Sequence, residues 1–204
     1  MIAMKNPARF FATLSLILSL AVSFSATAQM GGQMGGQMSG QVGAPSAAQN
    51  EKLLSPPAMT SVSLDGTRIA IHYGSPAMRG RVIMGGLVPY GQVWRTGANK
   101  ATSFVTTGNL KVGALHVPAG SYTLFTLPQA PGKPWLLILS KKTGEWGIPY
   151  PAGDDLGRTP MHGAKLPQTQ QSLTISFEHT TKHSTELHVR WENTDESVLI
   201  QTAK

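Results

Sequence analysis

Residues 87–102 read LVPYGQVWRTGANKAT and set two large aromatics, Tyr90 and Trp94, beside Arg95 and Asn99 among turn-forming residues. A guanidinium is planar and presents a fixed fork of donors that matches a carboxylate, sulfate or phosphate. The aromatic rings supply flat apolar walls of the kind that accept sugars or aromatic ligands. Arg79 and Arg81 add two cations shortly upstream. Arg79, Arg81, Tyr90, Trp94, Arg95 and Asn99 are therefore the candidate ligand-binding residues, for a small anionic or carbohydrate ligand.

The charge distribution sharpens the question of what those arginines meet. Between Asp65 and Glu145 there is no acidic residue, while the same span holds nine cations: Arg68, Arg79, Arg81, Arg95, Lys100, Lys111, Lys133, Lys141 and Lys142. Residues 145–204 carry eight acids against five bases. Stranding a buried charge costs about 3–5 kcal/mol. Arg79, Arg81 and Arg95 must therefore pair with carboxylates from the C-terminal third, such as Glu178, Glu186 or Glu192, bond to backbone carbonyls, or face an anion from outside. The first two outcomes make the segment architecture; the third makes it a site.

Histidine offers a second chemistry. His179 and His183 lie four apart with His188 close behind, in SFEHTTKHSTELH. On a helix that spacing holds zinc, but the flanking runs here alternate as strands and TTKHS reads as the hairpin between them. His188 then points outward with Glu186 and Arg190, opposite Leu187, Val189 and Trp191. A solvated hairpin tip is the expectation and no metal is assigned; a weak surface site with Glu178 stays open. Asp154-Asp155 receive no role, since acidic pairs in Gly/Pro segments are ordinary turn chemistry.

Covalent catalysis finds little support. There is no cysteine and no G-x-S-x-G elbow, and scattered serines give no lead. RGRVIMGG at 79–86 matches neither a dinucleotide nor a P-loop fingerprint. No catalytic residue and no cofactor is assigned. Met30, Met34 and Met38 recur every fourth residue in QMGGQMGGQMSG. Thioethers can hold Cu(I), yet without supporting His or Cys the run reads as a low-complexity linker.

The elements that must position these residues follow from the pattern of the chain. Residues 1–28 have the three parts of a signal peptide: Lys5 and Arg9, the apolar FFATLSLILSLAV, and Ala26-Thr27-Ala28 for cleavage. The apolar run is short for a membrane span. A periplasmic or secreted chain, not membrane-spanning and soluble after cleavage, is expected. Removing Lys5 and Arg9 from the 17 basic residues leaves 15 against 10 acids. For an exported chain that excess favours small anions or envelope material, and no nucleic acid is expected. Residues 29–54 form a flexible Gln/Met/Gly-rich linker.

Residues 55–204 read as one β domain. SVSLDGTRIAIHY places two β-rich runs around Asp65-Gly66, a hairpin signal. ATSFVTT, NLKVGALHV, GSYTLFTL, PWLLILS, SLTISFEH and STELHVRWEN follow with turn residues between them. LLIL at 136–139 is apolar on both faces and suits a central strand, while Leu173, Ile175 and Phe177 alternate, as do Leu187, Val189 and Trp191. The expected fold is all-β, a single antiparallel β-sandwich or jelly-roll-like barrel, with residues 144–170 as a long Gly/Pro-rich loop able to act as a lid.

HYGSPAMRGRVIMGGLVPYGQVWRTGANKAT at 72–102, followed by VPAGSYTLFTLP at 117–128 and by PWLLILS, resembles the bacterial family called domain of unknown function 2911, over nearly all of residues 57–201. The resemblance implies an exported β-rich domain and no particular chemistry. It places the family's signature on Tyr73, Gly74, Pro76, Gly80, Arg81, Pro89, Tyr90, Trp94, Arg95, Gly97, Asn99 and Ala101, with Lys100 as a departure that removes a local partner for Arg95. The leading expectation is a non-enzymatic binding or structural module of the cell envelope. The alternative is a hydrolase of envelope glycans or esters.

Overall fold

The structure, a computed structural model, describes residues 54–203. The expected signal peptide over 1–28, the linker apart from Leu54, and the methionine repeat lie outside the described residues. Ten strands follow in order: β1 Pro57–Leu64, β2 Thr67–Gly74, β3 Thr102–Thr106, β4 Leu110–Val112, β5 Leu115–Val117, β6 Gly120–Leu127, β7 Leu136–Ser140, β8 Asp155–Pro160, β9 His162–Glu178 and β10 Ser184–Thr202. Among the described residues there is no helix, and none is long and apolar enough to cross a membrane.

The strands make two antiparallel sheets, one ordered β1-β2-β3-β6-β7-β8 and the other β5-β4-β10-β9. Leu64, Ile69, Ile71, Phe104, Leu124, Leu137 and Leu139 of the first sheet share one buried cluster with Leu110, Val112, Leu173, Ile175, Leu187, Val189, Trp191 and Ile200 of the second. That shared core makes the fold a sandwich; the sheets do not close into a barrel. The Asp65-Gly66 hairpin forms as its residues require: both sit at positive φ, 44° and 83°, and Leu64 pairs with Thr67 across the turn.

The segment expected to be one loop over 144–170 is shorter than that. Within it only residues 144–154 and Met161 lie outside strands; β8 and the first half of β9 account for the rest. The prolines and glycines that argued for a loop have other roles. Pro160 ends β8, the edge strand of its sheet, where a missing donor costs little. Pro167 falls between Lys165 and Gln170, where the register with β10 slips. Gly157 makes room for a neighbour: a Cβ there would stand 2.5 Å from Leu115 Cδ2. The remaining loop folds over the outer face of the first sheet, where Tyr150 meets the Phe125 ring edge-on at 5.1 Å.

β10 is nineteen residues long and doubles back on itself. The amide of Thr202 donates to the carbonyl of His183, just ahead of the strand, at 2.9 Å. Glu192, at φ 56°, marks the bend, with register shifts against β9 on either side of it. Its carboxylate accepts the amides of Ile83 and Met84, each at 3.1 Å, and so fastens the 82–88 turn to the bend.

Candidate functional site

Trp94 joins the first sheet as a single bridge, exchanging backbone bonds with Thr126 at 2.8 and 2.9 Å. Neighbouring residues on such a segment face opposite ways. The Trp94 ring turns inward and stacks on the buried Trp191, centroids 5.9 Å apart at 21°. Arg95 turns outward, donates to the Trp146 carbonyl at 3.0 Å and lies 5.2 Å from the centre of the Trp146 ring. Burial lowers its pKa. Beyond it the chain corners tightly, with Thr96 and Asn99 at φ 50° and 65°. This corner rests on Gly74, where a Cβ would stand 2.3 Å from the Ala98 carbonyl oxygen.

The six candidate residues are therefore not assembled in one pocket. Arg81 folds onto its own turn, donating to the carbonyls of Met78 and Ala77 at 2.9 and 2.7 Å. Arg79 is exposed. Asn99 donates to the Ser55 carbonyl at 3.2 Å and lines a cleft of about 620 Å³ with His72, Tyr73, Lys100 and Glu145. Arg81 and Arg95 thus take backbone carbonyls, one of the three outcomes weighed for them. Glu178 and Glu192 are engaged elsewhere, with Arg190 and with the 82–88 turn.

Tyr90 lines a different cleft, of about 720 Å³, with Met84, Lys133, Trp135, His162, Lys165, Asn193 and Glu196. Its ring lies against Gly85, where a Cβ would stand 2.7 Å from Tyr90 Cε2. Gly85 adopts φ 82°, so glycine there serves both the turn and the ring. Glu196 is 5% exposed and its Oε2 has no hydrogen-bond partner. It packs over Gly163, where a Cβ would stand 2.8 Å from Oε1. Burial, helped by the neighbouring charge of Asp195, pushes its carboxyl up to about 7. Lys133 and Lys165 are exposed at the same cleft.

A third cluster lies on the face of β9 and β10 that the histidine pattern singled out. Glu186, His188 and Arg190 do alternate together, but the face is covered rather than solvated: His188 is 7% exposed. The fold-back of β10 brings Asp195 over it, 2.8 Å from His188 Nδ1 and 2.9 Å from Arg190 Nε. Arg190 also grips both oxygens of Glu178. The Arg190 guanidinium, with Ser176 adding a bond at 3.0 Å, holds the Glu178 carboxyl down at about 2 despite its partial burial.

Sequence reasoning missed Glu196, Lys165, His162 and Asn193. The only signal was the acidic run ENTDE at 192–196, which reads as a polar turn. Nothing local says that the strand turns back there and buries one of its acids.

A two-sheet, all-β domain with an acid-bearing cleft at the bend of its longest strand is the class of protein defined by this geometry. The chain belongs to the family described as protein of unknown function (DUF2911), whose profile matches residues 55–200. No curated protein and no solved structure matches it.

Proposed function

We propose that this chain is an exported binding module of the cell envelope that holds a small acidic carbohydrate, or a similar polyhydroxy anion, in the cleft around Tyr90 and Glu196. The observation that carries the reading is the buried Glu196 carboxyl: the residue lines that cleft, and its Oε2, shut off from solvent, has no hydrogen-bond partner in the protein. Buried polar atoms are nearly always partnered, and a sugar hydroxyl would complete this one. Tyr90, 36% exposed, supplies a ring for the sugar face. Lys133 and Lys165 supply positive charge for an anionic substituent. The N-terminal Lys5, Arg9 and apolar run support export.

The test is calorimetric titration with a uronic-acid trisaccharide and with a neutral trisaccharide. The acidic sugar binds more tightly, and Tyr90→Ala and Lys165→Ala each weaken it. At a hundredfold excess over Kd the acidic sugar stabilises the fold by about 2.7 kcal/mol. Equal binding by both variants, or none by wild type, refutes the reading. A second reading, glycan or ester hydrolysis, rests on the same carboxyl, since an acid near 7 is placed for proton transfer. Among the described residues, however, neither cleft holds a serine or threonine hydroxyl bonded to a histidine or carboxylate. Loss of slow turnover of a chromogenic glycoside in Glu196→Gln would favour it.

A further inference from the structure

The covered face of β9 and β10 holds chemistry that the cleft does not use. We infer that it is a site for a divalent transition-metal ion, zinc in the first instance, held by His188, His179 and Glu178 and flanked by Glu186. The ligand atoms of Glu178, His179 and His188 lie within 4.8 Å of one another. Adjacent strand residues face opposite ways, so Glu178 and His179 ought to diverge. The positive φ of His179, 49°, breaks the alternation and keeps both side chains on one side. Its ring centre stands 6.3 Å from that of His188.

The state of His188 is the decisive feature. An ionised carboxylate only accepts and a guanidinium only donates. His188 Nδ1 lies 2.8 Å from Asp195 Oδ1 and 3.2 Å from Arg190 Nη2, and the shorter contact favours the tautomer with hydrogen on Nδ1. Nε2 then keeps a bare lone pair, buried and without a hydrogen-bond partner. The nearest carboxylate oxygen, Glu186 Oε2 at 3.3 Å, is itself an acceptor and lacks hydrogen-bond alignment. Two acceptors facing each other repel unless a cation lies between them. With metal–ligand bonds of about 2.0–2.1 Å, tetrahedral ligand atoms stand about 3.3 Å apart. His188 and Glu186 already have that separation, and the Glu178, His179 and His188 ligand atoms, within 4.8 Å of one another, draw in to reach it. A carboxylate behind the distal nitrogen is also the usual support for a metal-bound imidazole.

The charges agree. Glu178 and Glu186 are direct cross-strand partners, a like-charged pairing that costs stability unless a cation bridges it. Glu178, Glu186 and Asp195 oppose the single Arg190, leaving two negative charges for a dication to neutralise. Arg190 does not block Glu178. Oε1 takes Arg190 Nη1 and Ser176 Oγ, but Oε2 takes Arg190 Nη2 alone and retains one lone pair.

The experiment is calorimetric titration of the untagged chain with zinc chloride. One ion binds per chain. His179→Ala, at an exposed position that leaves the core alone, weakens binding at least tenfold. Asp195→Asn weakens it tenfold to a hundredfold by removing the support behind His188. His183→Ala, in the same turn but facing Asp65 at 3.4 Å, leaves it unchanged. Circular dichroism checks that each variant is folded, and Glu186→Gln replaces Asp195→Asn if the latter is not. No binding by wild type, or equal binding by His179→Ala and Glu186→Gln, overturns the site. The sugar titration is independent of this result.

Discussion

Replacing Glu196 by glutamine removes one ionisation from the cleft and almost nothing else. The folded protein holds this carboxyl at about 7 against an ordinary 4.5 because it is buried beside Asp195. Between those values the folded state binds a proton that the unfolded chain has lost, so stability falls as pH rises through the window. Below pH 4.5 both states are protonated and the glutamate costs nothing; above about pH 8 both are ionised and the cost is complete. At about 1.4 kcal/mol per tenfold in proton affinity, the full cost is about 3 kcal/mol. Glutamine is neutral throughout. Glu196→Gln therefore matches wild type at pH 4.5 and exceeds it by about 3 kcal/mol at pH 8, or about 6–12 °C in Tm for a domain of this size. Thermal and urea denaturation of both proteins at half-unit steps from pH 4.5 to 9 give the difference curve, from which the histidines cancel. A pH-independent offset, or a glutamine variant less stable than wild type at pH 8, refutes the assignment of Glu196 as a buried, unpartnered acid.

Other substitutions probe the frame around the site. Arg95→Ala costs about 2–4 kcal/mol, the worth of one charge-assisted bond to a carbonyl and one aromatic contact; a loss well above about 5 kcal/mol in urea denaturation would instead imply a carboxylate partner. Glu192→Ala costs about 2–4 kcal/mol, because it leaves the Ile83 and Met84 amides without their acceptor. Glu178, held at about 2 chiefly by Arg190, contributes stability that is complete above pH 4.5 and is lost as pH falls toward 2. Glu178→Gln flattens this acid limb by about 2 kcal/mol, read as a smaller fall in Tm between pH 5 and 3.

Strand positions were legible because alternation is a local property. Ile69 and Ile71, Leu173 and Ile175, Leu187 and Val189 all face the core as their spacing demands. The Asp65-Gly66 turn was legible for the same reason: its backbone needs are written in two residues. Proline and glycine misled between 155 and 170 because their meaning depends on neighbours in space, an edge for Pro160 and a facing carboxyl for Gly163. The candidate site was legible only in part. Trp94 and Arg95 are adjacent in the chain and point to opposite faces, so their proximity in sequence did not make a pocket. Tyr90 does line a cleft, but its companions Lys165 and Glu196 come from β9 and β10. What brings them there is the bend at Glu192, and a single residue at positive φ leaves no periodic trace.

That bend also orders the assembly of the molecule in time. β10 is the last of the described strands, yet it occupies an interior place in the second sheet, between β4 and β9. Its last residue, Thr202, reaches back to His183, and Ala203 just beyond it reaches Asn109, for their backbone bonds. A chain emerging from synthesis can pair β1 with β2 and β6 with β7 as each appears. It cannot join β4 and β5 to the β9–β10 pair until residues 200–202 are available. Until then Leu110, Val112 and Val117 have no strand to cover them, and closure waits on contacts about ninety residues apart, the kind that slow folding most.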